Sequence, residues 1–151
     1  MIDDQAADRI ENWIKDVQNC DIHCFGKRTN RLIPPTIVEP RDTGLLLPGT
    51  SEELFGPVAT LSSFQTIEEA ISIVQSSPFG IQLGVFCRES SIAESFYREI
   101  EIGGVIVNDA PNLRLDWFSY GGEKQSGFGR EGVTYAMDEF SYPKSRVERM
   151  V

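Results

Sequence analysis

Residues 58–107 switch repeatedly between the two-residue period of a strand and the longer period of a helix, and no other feature constrains the fold as much. Residues 58–64 read as a strand. Thr66 then stands where a helix is capped, Glu69 three residues later completes a capping box, and Ile67, Ala70, Ile71 and Val74 fall on one face. The run SSPFG at 76–80 breaks that helix, and residues 81–86 form a second strand. Ser91 with Glu94 repeats the capping signature, Ile92, Phe96 and Ile100 supply an apolar stripe, and Gly103 and Gly104 end the helix before a third strand at 105–107. Strand, helix, strand, helix, strand with short connections is the pattern of a parallel sheet wound by crossover helices, so the expected class is α/β.

The flanks are less regular. Ala6, Ile10, Trp13, Ile14 and Val17 make one stripe of a helix over residues 4–18, with Asp3 or Asp4 as N-cap. A short strand is expected at 22–25 and a polar turn at 26–31. Residues 32–38 look extended, but Pro34 and Pro35 suit an edge position or none. Residues 41–50 read as a loop. Residues 109–130 form a second, long and glycine-rich loop of a kind uncommon in a compact domain unless it has a function. A short helix carrying Val133, Met137 and Phe140 is expected over 131–140. Beyond it Phe140 and Tyr142 alternate with polar residues as in a half-exposed strand, while Pro143 and the following charges suit a sheet edge.

Composition limits what such a fold does. The formal charge of −9 repels nucleic acid and anionic membranes. No apolar run approaches the roughly 18 residues of a membrane span, and the acidic start MIDDQAADR is the opposite of a signal or transit peptide. Three cysteines without an export signal point to reduced thiols, hence to a cytoplasmic location.

Three segments bear on chemistry. GFGREG at 127–132 matches the dinucleotide fingerprint literally, but GGEKQS before it is no buried strand, and no acidic strand end can follow about 20 residues on. Cys20, His23 and Cys24 cluster in CDIHC without the second ligand pair that a structural zinc needs, so no metal is expected. They read as buried thiols beside a solvent-facing histidine, and no activating base is legible near them or Cys87. In EELFGPV at 52–58, Glu53 and Phe55 are either a solvated acid followed by a core aromatic, or a carboxylate for a ribose beside a ring for a flat heterocycle. The residues alone leave both open.

Taken together, EELFGPV, SPFGIQLGVF, GGVIVND, GGEKQSGFGRE and EFSYPKSRV resemble, in order and approximate spacing, the carboxyl-terminal part of the aldehyde dehydrogenase superfamily. The likeness runs from the first helix to the last residue. It implies a partial catalytic domain over 1–139 and an oligomerisation tail over 140–151 that adds a strand to a partner subunit. The parent reaction would be NAD- or NADP-dependent oxidation of a small aldehyde to a carboxylic acid. In that family the equivalent of Glu53 holds the nicotinamide ribose and that of Phe55 packs beside the nicotinamide. Asn108 and Tyr120 fall where the substrate tunnel is lined, and Glu131 matches an acid proposed for a proton relay.

Two departures stand out: a slightly longer loop over 39–51, and tyrosine at 120 where phenylalanine is common. The catalytic cysteine, general-base glutamate, oxyanion-hole asparagine and cofactor domain are missing from these residues, so the expectation is a fragment. Such a fragment would be inactive alone and unable to bind either cofactor tightly, yet would form homo-oligomers. The alternative expectation is a non-catalytic module that assembles with a full-length relative. Neither nucleic acid nor membrane is expected as a partner.

Overall fold

The computed structural model describes residues 1–41 and 52–150, so most of the expected loop at 41–50, and the longer stretch around it, lies outside the described residues. The chain divides into two compact units, Met1–Ser77 and Pro78–Val151. That division falls inside the span expected as one partial domain.

The first unit opens with helix α1, Asp4–Asp16, capped by Asp3, whose carboxylate accepts the Ala6 N–H. Ala7 and Ile10 are fully buried and form a small core with Ile33, against which Met1, Ile14, Leu54 and Val58 pack. Strands β1 (Cys20–Cys24), β2 (Thr36–Pro40) and β3 (Val58–Thr60) form one sheet in the order β1-β2-β3, antiparallel between the first two and parallel between the last two.

The middle position of β2 corrects the edge expected from its prolines. Pro34 and Pro35 precede the strand, so they remove no ladder donor, and Val38 is completely buried. Helix α2, Ile67–Ser76, begins with the expected cap: Thr66 Oγ1 accepts the Glu69 N–H. The reciprocal bond goes one residue further back, from the Gln65 N–H to the Glu69 carboxylate.

The second unit holds β4 (Phe79–Gly80), β5 (Gln82–Val85), α3 (Ser90–Glu99), β6 (Gly104–Val107), β7 (Glu123–Lys124) and α4 (Val133–Glu139). β5 and β6 pair in parallel across α3, as the alternating pattern requires. β4 pairs antiparallel with β7. The expected α/β class with parallel pairing is met in both units: β3 joins β2 in the first, and β5 joins β6 in the second. Period reveals that a segment is a strand, whereas its partner is chosen by tertiary packing.

The second capping box also fails. Helix α3 begins at Ser90 with Glu89 as its N-cap and no side-chain cap bond, so the expected cap Ser91 lies inside the helix, and Glu94 pairs with Arg98 four residues on, at 2.6 Å. Ala93, Phe96 and Ile100 are the buried side of this helix. After α4, residues 141–150 carry no helix or strand within the chain. Among the described residues no helix is long and apolar enough to cross a membrane.

Candidate functional site

In the first unit the candidate residues lie on the short connection before β3. Leu54 sends its side chain to the α1 core, and its carbonyl accepts from Arg9 Nη2 at 2.7 Å. Gly56 lies so close to the helix that a Cβ there would be 2.9 Å from Ile10 Cδ1. The Pro57 carbonyl accepts the Thr36 N–H at 3.0 Å, tying the segment to β2. Between these anchors Phe55 adopts φ 49°. A left-handed backbone costs a residue with a Cβ about 1–2 kcal/mol, so the anchors hold Phe55 in a conformation that it would not choose. The residue is 76% exposed, and Glu53 is exposed beside it. Within this chain Phe55 is therefore not a core aromatic, and a carboxylate and a flat ring two residues apart are offered outward on a pinned backbone.

In the second unit Asn108 follows β6. Its N–H continues the ladder to the Val85 carbonyl, and its Oδ1 accepts the Cys87 N–H, both at 2.9 Å. It too has a left-handed φ, 58°, which asparagine tolerates better than other residues with a side chain. With Oδ1 committed, the side-chain NH2 is what Asn108 can offer a ligand.

Tyr120 and Glu131, eleven positions apart by their numbers, are brought face to face. Each donates its N–H to the other's carbonyl, at 3.2 Å from Tyr120 and 2.6 Å from Glu131, closing the glycine-rich segment into a loop. Arg130 braces that loop from inside. Its Nη1 donates to the Gly122 and Gly129 carbonyls at 3.2 and 2.9 Å, and its Nη2 pairs with Glu123. The Arg130 N–H donates to Glu139 Oε1 at 3.0 Å, and Ser126 Oγ accepts the Gly80 N–H at 2.9 Å. The segment before GFGREG is the two-residue strand β7, not the long buried strand that a dinucleotide fingerprint requires.

Sequence reasoning missed Arg114. Its guanidinium carbon lies 4.6 Å from the centre of the Tyr120 ring, and its Nη2 donates to Glu131 Oε2 at 2.6 Å. An open pocket of ≈ 580 Å³ lies here, with Arg114, Phe118, Tyr120, Glu131, Val133 and Phe140 on its wall. A single arginine in an irregular loop has no period or spacing to mark it; only the folded loop sets it over the ring.

The remaining candidates disperse. Cys20, Cys24 and Cys87 each donate to a backbone carbonyl, of Gln18, Gly26 and Glu89 respectively. His23 instead faces Glu39, with Nε2 3.2 Å from Oε2. The thiols are not buried as expected: Cys24 is exposed, and Cys20 and Cys87 are half-buried. Strand β1 is an edge of its sheet, and Ile22, on the same face as Cys20 and Cys24, is itself 42% exposed. Among the described residues no three potential metal ligands gather.

Residues 1–146 match the model of the aldehyde dehydrogenase family. The chain is 38% identical over 143 residues to the 3-sulfolactaldehyde dehydrogenase of Priestia aryabhattai, a stretch that is 93% of this chain and 30% of that protein. It superposes with a TM-score of 0.80 and 37% identity on aldehyde dehydrogenase 21 from Physcomitrella patens in complex with the reaction product succinate, covering 92% of this chain and 29% of that one. It also matches glyceraldehyde-3-phosphate dehydrogenase GapN from Methanocaldococcus jannaschii complexed with NADP, with a TM-score of 0.82, 33% identity and coverages of 92% and 30%. The chain thus spans about 30% of the length of these relatives.

Proposed function

The chain belongs to the aldehyde dehydrogenase family, and from that premise we propose that it supplies cofactor- and substrate-facing segments of an enzyme that oxidises an aldehyde to a carboxylic acid with NAD or NADP. The observation that carries this reading is the pinned loop at 52–57, which spends backbone strain at Phe55 to keep an aromatic ring in solvent. The residues fit the cofactor's chemistry: the Glu53 carboxylate accepts from ribose hydroxyls, and the Phe55 ring offers a flat apolar surface to a nicotinamide. When bound, the nicotinamide supplies a hydride acceptor. Glu53 and Phe55 orient it, Asn108 and Tyr120 line the substrate's approach, and Glu131 takes part in proton movement beside Tyr120.

Within these 151 residues the thiols donate to backbone carbonyls rather than to a base, so we assign the chain alone no turnover. Two contacts to one ring and one ribose also cannot replace those to the rest of a dinucleotide, so tight cofactor binding by this chain alone is not part of the reading. Phe140, Tyr142, Val147 and Met150 are all more than four-fifths exposed, which supports association of copies through residues 140–151. Three reduced thiols suit the cytoplasm.

The test has two arms. The purified chain, given aldehydes with NAD or NADP, is expected to produce no reduced cofactor; turnover abolished by a Cys→Ser change would overturn the inactive reading. In a full-length relative, the change equivalent to Glu53→Gln is expected to slow single-turnover hydride transfer more than it weakens aldehyde binding. An unchanged hydride step would remove the role given to Glu53.

A further inference from the structure

We infer that the first unit carries a binding site for a small organic carboxylate, in a cavity of ≈ 410 Å³ between α1, the end of β1 and the start of β2. None of the residues given a role above lines it. Its volume falls within the roughly 300–1,000 Å³ of small-molecule sites. Ile14 of α1, with Ile33 and Pro34, gives it an apolar wall, and Cys24, Lys27 and Thr36 add polar groups. A mostly apolar lining with a few polar groups suits a ligand that has an apolar body and one polar end.

Thr36 is the one polar residue buried among the described residues, at 2% exposure. Its hydroxyl has a single proton and faces two acceptors, the Pro34 carbonyl at 3.1 Å and Cys24 Sγ at 3.6 Å. Sulfur is a weak acceptor, so turning that proton to a carboxylate oxygen gains a stronger, charge-assisted bond. The Cys24 thiol is itself satisfied, since it donates to the Gly26 carbonyl at 3.4 Å.

Charge sets the sign of the ligand. Glu11 is bonded to Lys15 and Arg28, and Asp8 to Arg28, so these two carboxylates and two cations offset one another. Arg28 is further tied by Nε to the Asn30 carbonyl and is not free to turn. Lys27 has no ion pair among the described residues. The lining therefore keeps one uncompensated positive charge in a chain whose formal charge is −9. An anion gains from Lys27 and a cation is repelled by it. A mere packing gap beside α1 would show no preference for charge.

Cys24 is exposed and lies on the cavity wall, so its reactivity reports on occupancy. The full chain is treated with iodoacetamide, a neutral alkylating agent, in the presence of hexanoate or of hexanamide, its uncharged counterpart of similar shape, at constant ionic strength. Modification of Cys20, Cys24 and Cys87 is followed by peptide mass spectrometry. Hexanoate is expected to slow alkylation of Cys24 saturably while Cys20 and Cys87 react as before, and hexanamide to bind about fivefold more weakly. Lys27→Gln should erase that difference, and Thr36→Val should weaken both compounds. Lys27 is exposed, so its variant decides the matter even if Thr36→Val does not fold. Equal protection by the two compounds, or a difference that survives Lys27→Gln, would overturn the anion site. Slowing at all three thiols alike, or at none, would overturn binding in this cavity altogether.

Discussion

Residues 52–57 in the first unit and residues 120–132 in the second do similar work by opposite means. Each holds side chains outward on a shaped backbone. The first is fixed mainly by apolar packing, Leu54 into the α1 core and Gly56 against Ile10, and its left-handed φ falls on a phenylalanine. The second is fixed by polar contacts radiating from Arg130, and its positive φ values fall on Gly127, Gly129 and Gly132, with Lys124 the exception. Apolar contacts have no direction, so they can hold a strained residue without dictating its neighbours. Hydrogen bonds dictate geometry atom by atom, and glycine lets the backbone meet them without strain. The first loop therefore places its strain at the exposed candidate side chain itself, whereas the second meets most of its positive φ values with glycine and leaves strain only at Lys124.

The contrast is most exposed where the polar loop meets another backbone. A Cβ at Gly103 would collide with the Gly121 carbonyl oxygen and stand 2.7 Å from that of Ile81, and neither can swing aside. Gly103→Ala is expected to lower the protection of second-unit amides against hydrogen exchange by about 3 kcal/mol, with residues 1–77 unaffected. Uniform loss in both units would show that they do not unfold separately.

Next in size, Arg130→Met should weaken the same unit by about 2 kcal/mol, since it removes charge-assisted bonds to Gly122, Gly129 and Glu123. Denaturant titration in low and high salt would sharpen the comparison. Only the Glu123 part should fade with salt, and full insensitivity would mean that this pair contributes nothing.

In the first unit the sign reverses. Phe55→Gly relieves the left-handed backbone, and after glycine's larger unfolded entropy is set against it, a gain of about 0.5 kcal/mol is expected. A thermal midpoint that falls would show that the exposed ring contributes packing. The smallest effect is that of pH. The Arg28 guanidinium, and then the Lys15 ammonium, hold the Glu11 carboxyl below its ordinary value of 4.5. A depressed folded-state value means that the contribution is complete above the unfolded value and lost as the pH falls through the folded one. Amide protection in α1 should therefore decline below about pH 4.5, and Glu11→Gln should remove that dependence. An unchanged profile in this variant would assign the decline to other carboxylates.

Local signals were readable wherever neighbouring residues sufficed to make them. The Asp3 and Thr66 caps, the apolar faces of α1, α2 and α3, the strands β5 and β6 and the short helix α4 all follow from residues within a turn or two of one another. Where a segment far along the chain supplied the partner, local reading fell short: β2, expected at an edge, lies between β1 and β3. The Ser91 and Glu94 signature gave no cap, because α3 already begins at Ser90. The candidate residues divide in the same way. Glu53, Phe55, Asn108, Tyr120 and Glu131 were visible through ordered motifs, whereas Arg114 carried no motif.

The order of its motifs alone determined the family, and its periodicities alone determined an α/β chain, because both are written in residues close together along the sequence. The tertiary structure decided that β2 is central, that Phe55 points outward under strain, and that Arg114 lies between Tyr120 and Glu131. Each of these depends on contacts between segments far apart in the chain. Such contacts form only after loop-closure entropy has been overcome and one set of packing partners has prevailed over others of similar local merit.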